Sequence, residues 1–138
     1  MYKRQLLFLA IGFAFGARAQ QPYAGAIAGA VLGLAAASLF YVTAPLVGFS
    51  AMFFIWVGVW MGLAILYARL SGRGVDRAVL ARGSMAAVAS GLAFYLISGI
   101  WRPFNPEGWD YATHLAAWTV AYFPGFAALL TSTRAQGA

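Results

Sequence analysis

The chain has no cysteine, one histidine and only three acidic residues among its 138. Without thiols there are no disulfides, no thiolate metal sites and no cysteine nucleophile. A single histidine excludes bis-histidine haem within one chain. Charged residues make up 9% of the sequence, where a soluble domain carries about a quarter. No Lys, Arg, Asp or Glu lies in the middle of a long apolar run, which argues against proton relays, ion-coupled transport and paths for charged substrates. Walker loop, dinucleotide fingerprint, zinc spacing and lipidation signal are all missing. A hydrolase needs a positioned base and nucleophile, and only Asp110, Thr113 and His114 offer themselves. A lipid head-group enzyme built on Asp110 and His114 is therefore a distant reading, and a non-enzyme is expected.

What fills the chain instead is apolar. Hydrophobic residues reach 63% and the mean hydropathy is +0.78. So small a globule is mostly surface and has no interior for that many apolar side chains. Lipid resolves the conflict, and the reading is an all-α integral membrane protein. Four transmembrane helices are expected at residues 24–47, 51–70, 79–101 and 110–131, arranged as two hairpins within a domain covering 23–138. Punctuation supports these bounds: Pro22 suits a first helical turn, Gly48 to Ser50 and Arg102 to Gly108 form turns, and Gly72 and Gly74 stop the second span.

The loop from Arg69 to Arg82 organises the topology. It carries Arg69, Arg73, Arg77 and Arg82 against one acid, Asp76. An arginine at the bilayer centre costs roughly 2.5–3.5 kcal/mol, and short basic loops stay on the cytoplasmic side. The net charge of +6 is thus read as topology signal and contact with anionic lipid, with no nucleic-acid partner.

Residues 1–22 are read as a separate apolar segment, either an interfacial helix or an extra span. Their basic start, apolar run and Ala17-Arg18-Ala19 outline a secretory signal, but cleavage there would put the arginine loop outside. The run between Arg4 and Arg18 covers only about 20 Å, short for a ~30 Å core. The interfacial form leaves eight basic residues inside against Arg102 outside; the extra span leaves six against three. The first is preferred, which puts both termini in the cytoplasm of a multi-pass inner-membrane protein.

Small residues recur at four-residue spacing: Gly25, Gly29 and Gly33; Gly58 and Gly62; Ala87 and Gly91; Ala121 and Gly125. Such stripes let helix backbones approach in lipid, within the chain or against another subunit. Hydroxyls such as Thr43 and Ser90 are expected to bond their own helix carbonyls, and Pro124 to kink the fourth span. Trp56 and Trp60 form a deep pair that either packs or lines a pigment, quinone or lipid site. Asp110 and His114 are one turn apart, and Trp118 follows one turn later. Over that short stretch, His114 with Trp118 is similar to what bacterial light-harvesting polypeptides use to hold a chlorin magnesium. The rest of the antenna pattern is not present. His114 is accordingly a candidate axial ligand, with the interfacial, helix-capping role of this cluster as the plainer account.

These features together predict a non-enzymatic small subunit of a larger, energy-converting (photosynthetic or respiratory) membrane complex. The alternative is a homo-oligomeric transporter or channel for an uncharged substrate. The topology has a direct check: cysteine placed at Gly74 should react only with reagents that reach the cytoplasm, and cysteine at Asn105 from outside. Labelling of position 74 from the outer side would overturn the arrangement.

Overall fold

A computed structural model describes residues 2–48, 51–98 and 110–131, and these form five α-helices. They are α1 (Tyr2–Arg18), α2 (Pro22–Val47), α3 (Ala51–Leu70), α4 (Arg77–Ser98) and α5 (Asp110–Thr131). The C-terminal end of α3 falls where the apolar run placed it, at Leu70, and α2 starts at Pro22, whose fixed φ suits a first turn. Two helices, α2 and α3, are long and apolar enough to cross a membrane. The chain divides into two compact units, residues 1–83 and 84–138, with the boundary inside α4.

In the first unit, α1 runs antiparallel along α2, joined by a three-residue turn. The turn closes as a Schellman motif. Gln21 N–H donates to the Gly16 carbonyl at 2.6 Å, and Gln20 N–H to Ala17 at 3.1 Å. Gln20 takes the left-handed position at φ 60, where a non-glycine residue is strained by roughly 1–2 kcal/mol. Two helix carbonyls that would otherwise lack donors are satisfied in return.

Above the turn the two backbones touch. A Cβ at Gly12 would strike the Gly25 carbonyl oxygen and stand 2.8 Å from the Gly29 Cα. At Gly25 it would strike the Gly12 oxygen and stand 2.6 Å from the Gly16 Cα; at Gly29 it would strike the Phe8 oxygen. Glycine alone fits. The hydrogen each glycine carries in place of Cβ points at the opposing carbonyl, giving Cα–H···O contacts worth about 0.5–1 kcal/mol each. The pairing ends where the Phe8 ring lies over Gly33, 2.6 Å from where a Cβ would be. The helix α1 is thus laid lengthwise on α2.

Buried residues of α2 are Gly25, Gly29 and Gly33, while Ile27, Val31, Leu34, Leu39, Val42 and Leu46 are exposed. On α3 the buried positions are larger, among them Val59, Trp60, Leu63, Ala64, Tyr67 and Ala68. The α3 terminus repeats the closure of α1, with Arg73 N–H to Ala68 at 2.8 Å, Gly72 N–H to Arg69 at 3.0 Å, and Gly72 at φ 70. Gly74 takes no part in that closure. Asp76 then caps α4, its Oδ1 accepting from Val79 N–H at 2.8 Å.

In the second unit, Ala86, Ala87 and Ser90 on α4 and Ala121, Tyr122 and Leu129 on α5 are buried. Pro124 sits inside α5.

Replacing Gly12 or Gly29 by Leu should force α1 from α2 and cost at least about 3 kcal/mol, beyond ordinary overpacking because the obstacle is backbone. Ala14→Leu, at an exposed position of α1, should be near neutral. Thermal unfolding of the three variants in one detergent checks this; equal melting temperatures would mean that the helices do not pack through their glycines.

Candidate functional site

The described residues gather polar and charged groups in two places. The first is the end of unit 1 that holds the α1–α2 turn and the α3–α4 loop. These junctions meet: Gln21 Nε2 donates to the Leu70 carbonyl at 3.4 Å, tying the turn to the end of α3. Just inside, the Phe15 and Tyr67 rings pack at 5.1 Å between centroids. The Arg73 guanidinium lies over the outer side of Tyr67, 5.5 Å from the ring centroid, a cation–π arrangement.

Arg18 ends α1 and Arg69 lies in the last turn of α3, and both are exposed. Arg77 is exposed at the start of α4, whereas Arg73 and Arg82 are half-buried. Unit 1 contains a single acid, Asp76, whose Oδ1 is taken by the Val79 N–H. The result is a cationic end whose counter-charge is turned to helix capping.

The second place is the contact between α4 and α5 in unit 2. Ser90 is fully buried, and its Oγ accepts from the Gly125 N–H at 3.0 Å. Proline at 124 has no N–H for the α5 ladder and its ring pushes against the carbonyl four residues back. The next amide turns sideways to Ser90. This acceptor role across to α5 stands beside the donation expected of Ser90 toward its own helix carbonyls. Thr43 donates in the expected way, its Oγ1 to the Leu39 carbonyl at 2.7 Å.

The other predicted positions separate. Trp60 is fully buried, and Trp56 meets it edge-on at 6.2 Å and 68°, half-buried itself. Trp60 thus belongs to the buried residues of unit 1. Gly62 faces the Leu32 side chain, 2.7 Å from a would-be Cβ. At Gly58 a Cβ would meet nothing within 4 Å among the described residues. Ala87, Ala121 and Gly125 are buried and Gly91 is half-buried. Asp110, His114 and Trp118 follow one another along α5, but their side chains, with Arg102 and Glu107, lie outside the described residues. Among the described residues no group of three His, Asp or Glu side chains could hold a metal.

Sequence reasoning passed over Gly12 and Gly16, although their four-residue spacing matches the stripe on α2. It also passed over Asp76 as a cap, which the pattern of an acid three residues before an apolar position could have shown. No protein-family model, curated protein or solved structure matches the chain.

Ser90→Ala should lower the melting temperature by an amount equivalent to about 1 kcal/mol or more, because a buried N–H loses its acceptor. Ser90→Thr retains an acceptor oxygen at that position. If Ser90→Ala unfolds at the wild-type temperature, the α4–α5 bond contributes nothing.

Proposed function

We propose that this chain is a non-enzymatic, multi-pass protein of the inner membrane that works as a small subunit of a larger membrane assembly. The observation that carries the reading is α2, which buries three glycines and turns its large apolar side chains outward. Leaving such side chains in water forfeits roughly 1.5–3 kcal/mol each. Lipid or another protein therefore covers them. At 26 residues α2 is about 39 Å long, enough for a ~30 Å core with tilt to spare.

In this reading α2, α3, α4 and α5 span as two hairpins, with the arginine loop in the cytoplasm. The lengthwise contact of α1 with α2 favours the extra-span form of the N-terminal helix over the interfacial form. Continuing the antiparallel register puts the start of α1 opposite residues 35 and 36 of α2, about 20 Å up that helix. The N-terminus then lies outside and the C-terminus inside. The excess of basic residues remains cytoplasmic, six against three.

Subunit rather than free-standing protein is supported by the outer half of α2. Leu39, Tyr41, Val42, Leu46 and Val47 are exposed there, beyond the reach of the glycine contact with α1. An energy-converting assembly is the setting in which His114, with Trp118 beside it in sequence, would hold a chlorin; quinone or lipid contact at Trp56 is the other cofactor reading.

Purification from the native membrane in mild detergent, with mass spectrometry of co-migrating chains and an absorption spectrum, tests the proposal. Discrete partners of different sequence are expected. A ring of this chain alone would replace the subunit reading with the homo-oligomeric channel. A visible band lost in His114→Ala would assign a pigment to that residue, and a colourless preparation with partners intact would remove the chlorin.

A further inference from the structure

We propose that the arginine end of unit 1 is a binding site for the phosphate of an anionic phospholipid, whose acyl chains lie along α2. The inference rests on the membrane reading above and adds a specific ligand to it.

Three observations converge. First, the guanidiniums come from separate parts of the chain and are brought to one end. Arg18 closes α1, Arg69 lies in the last turn of α3, Arg73 belongs to the loop between α3 and α4, and Arg77 opens α4. The Gln21–Leu70 hydrogen bond and the Phe15–Tyr67 ring contact fix the two junctions to each other. Secondly, positive charge is in excess. Asp76 is the one acid of the unit, against Arg18, Arg69, Arg73 and Arg77 at this end. Thirdly, Arg73 is pre-positioned. Its guanidinium rests on the face of Tyr67, which is itself buried, so little rotamer freedom remains to be lost on binding. A ring face holds a guanidinium without using its N–H donors, which stay available for phosphate oxygens.

The ligand is a phospholipid rather than a soluble anion because the cationic end continues into an apolar wall. Tyr23, one residue past Pro22, is 80% exposed, and Ile27, Val31 and Leu34 follow it along α2, all exposed. An aromatic ring at headgroup level above an aliphatic strip fits a phosphate, a glycerol and acyl chains in turn. Inorganic phosphate would engage only the first of these.

The test is native mass spectrometry of the purified full-length protein, offered phosphatidylglycerol and phosphatidylcholine of the same acyl chains. Wild type should retain phosphatidylglycerol preferentially. Arg73→Gln should lose that preference by about fivefold, the scale of one basic residue at an anionic surface. Arg73→Lys, which keeps the charge, should recover most of it and shows that the site is still folded. The Lys3→Gln/Arg4→Gln double variant, altered at the far end of α1, should retain phosphatidylglycerol as wild type does. Equal retention of the two lipids, an equal loss in the Lys3/Arg4 variant, or displacement of the lipid by inorganic phosphate would each overturn the site. These outcomes leave the membrane reading intact. Release of the protein from its membrane by alkaline carbonate without detergent would instead overturn that reading, and the site with it.

Discussion

The fold of unit 1 depends on two helix backbones lying in direct contact. In water, helices associate by burying apolar side chains, but α1 and α2 meet where side chains are missing. Gly12, Gly16, Gly25 and Gly29 bring carbonyl oxygens against Cα atoms, so cohesion comes from dispersion and weak Cα–H···O contacts. Those forces do not require water to be expelled, so they hold in lipid as well. The same arrangement leaves α2 its full complement of aliphatic side chains on the outside. A helix pair built this way is suited to a solvent that is itself hydrocarbon.

The close approach also dictates what happens at its end. Helices that touch at the backbone near the turn leave no room for a loose loop. Three residues make the connection, and Gln20 must take a left-handed conformation. The Schellman hydrogen bonds and the Gln21–Leu70 contact offset the strain at Gln20. Glycine would be less strained at this position; glutamine keeps a polar side chain at the mouth of the hairpin. At the end of α3 the same closure uses Gly72, and no such strain arises there.

How much of this was readable in advance depended on the kind of signal. The C-terminal end of α3 is set by local chemistry, the arginine-glycine run that follows it, so the run revealed it. Gly72 was legible for the same reason. Gly12 and Gly16 carry as clear a spacing as Gly25 and Gly29, but the basic start and Ala17-Arg18-Ala19 drew attention to the segment's ends instead of its face. Ser90 was not legible. A hydroxyl in an apolar helix has carbonyls of its own within reach, and only tertiary packing decides that it accepts from Gly125 across to α5. Gly58 shows that spacing alone does not name the neighbour: among the described residues the space beside it is open.

The arginines at the turn end serve more than one role, and the roles draw on different parts of the side chain. Arg18 and Arg69 stand in the last turns of α1 and α3, where positive charge opposes the carbonyl end of the helix dipole. That interaction is strongest where water is scarce. Arg73 is placed differently, over the face of an aromatic ring, a contact that uses none of its N–H donors. Helix ends place two of the cations collected here and a ring face a third, so their convergence does not depend on any one kind of contact.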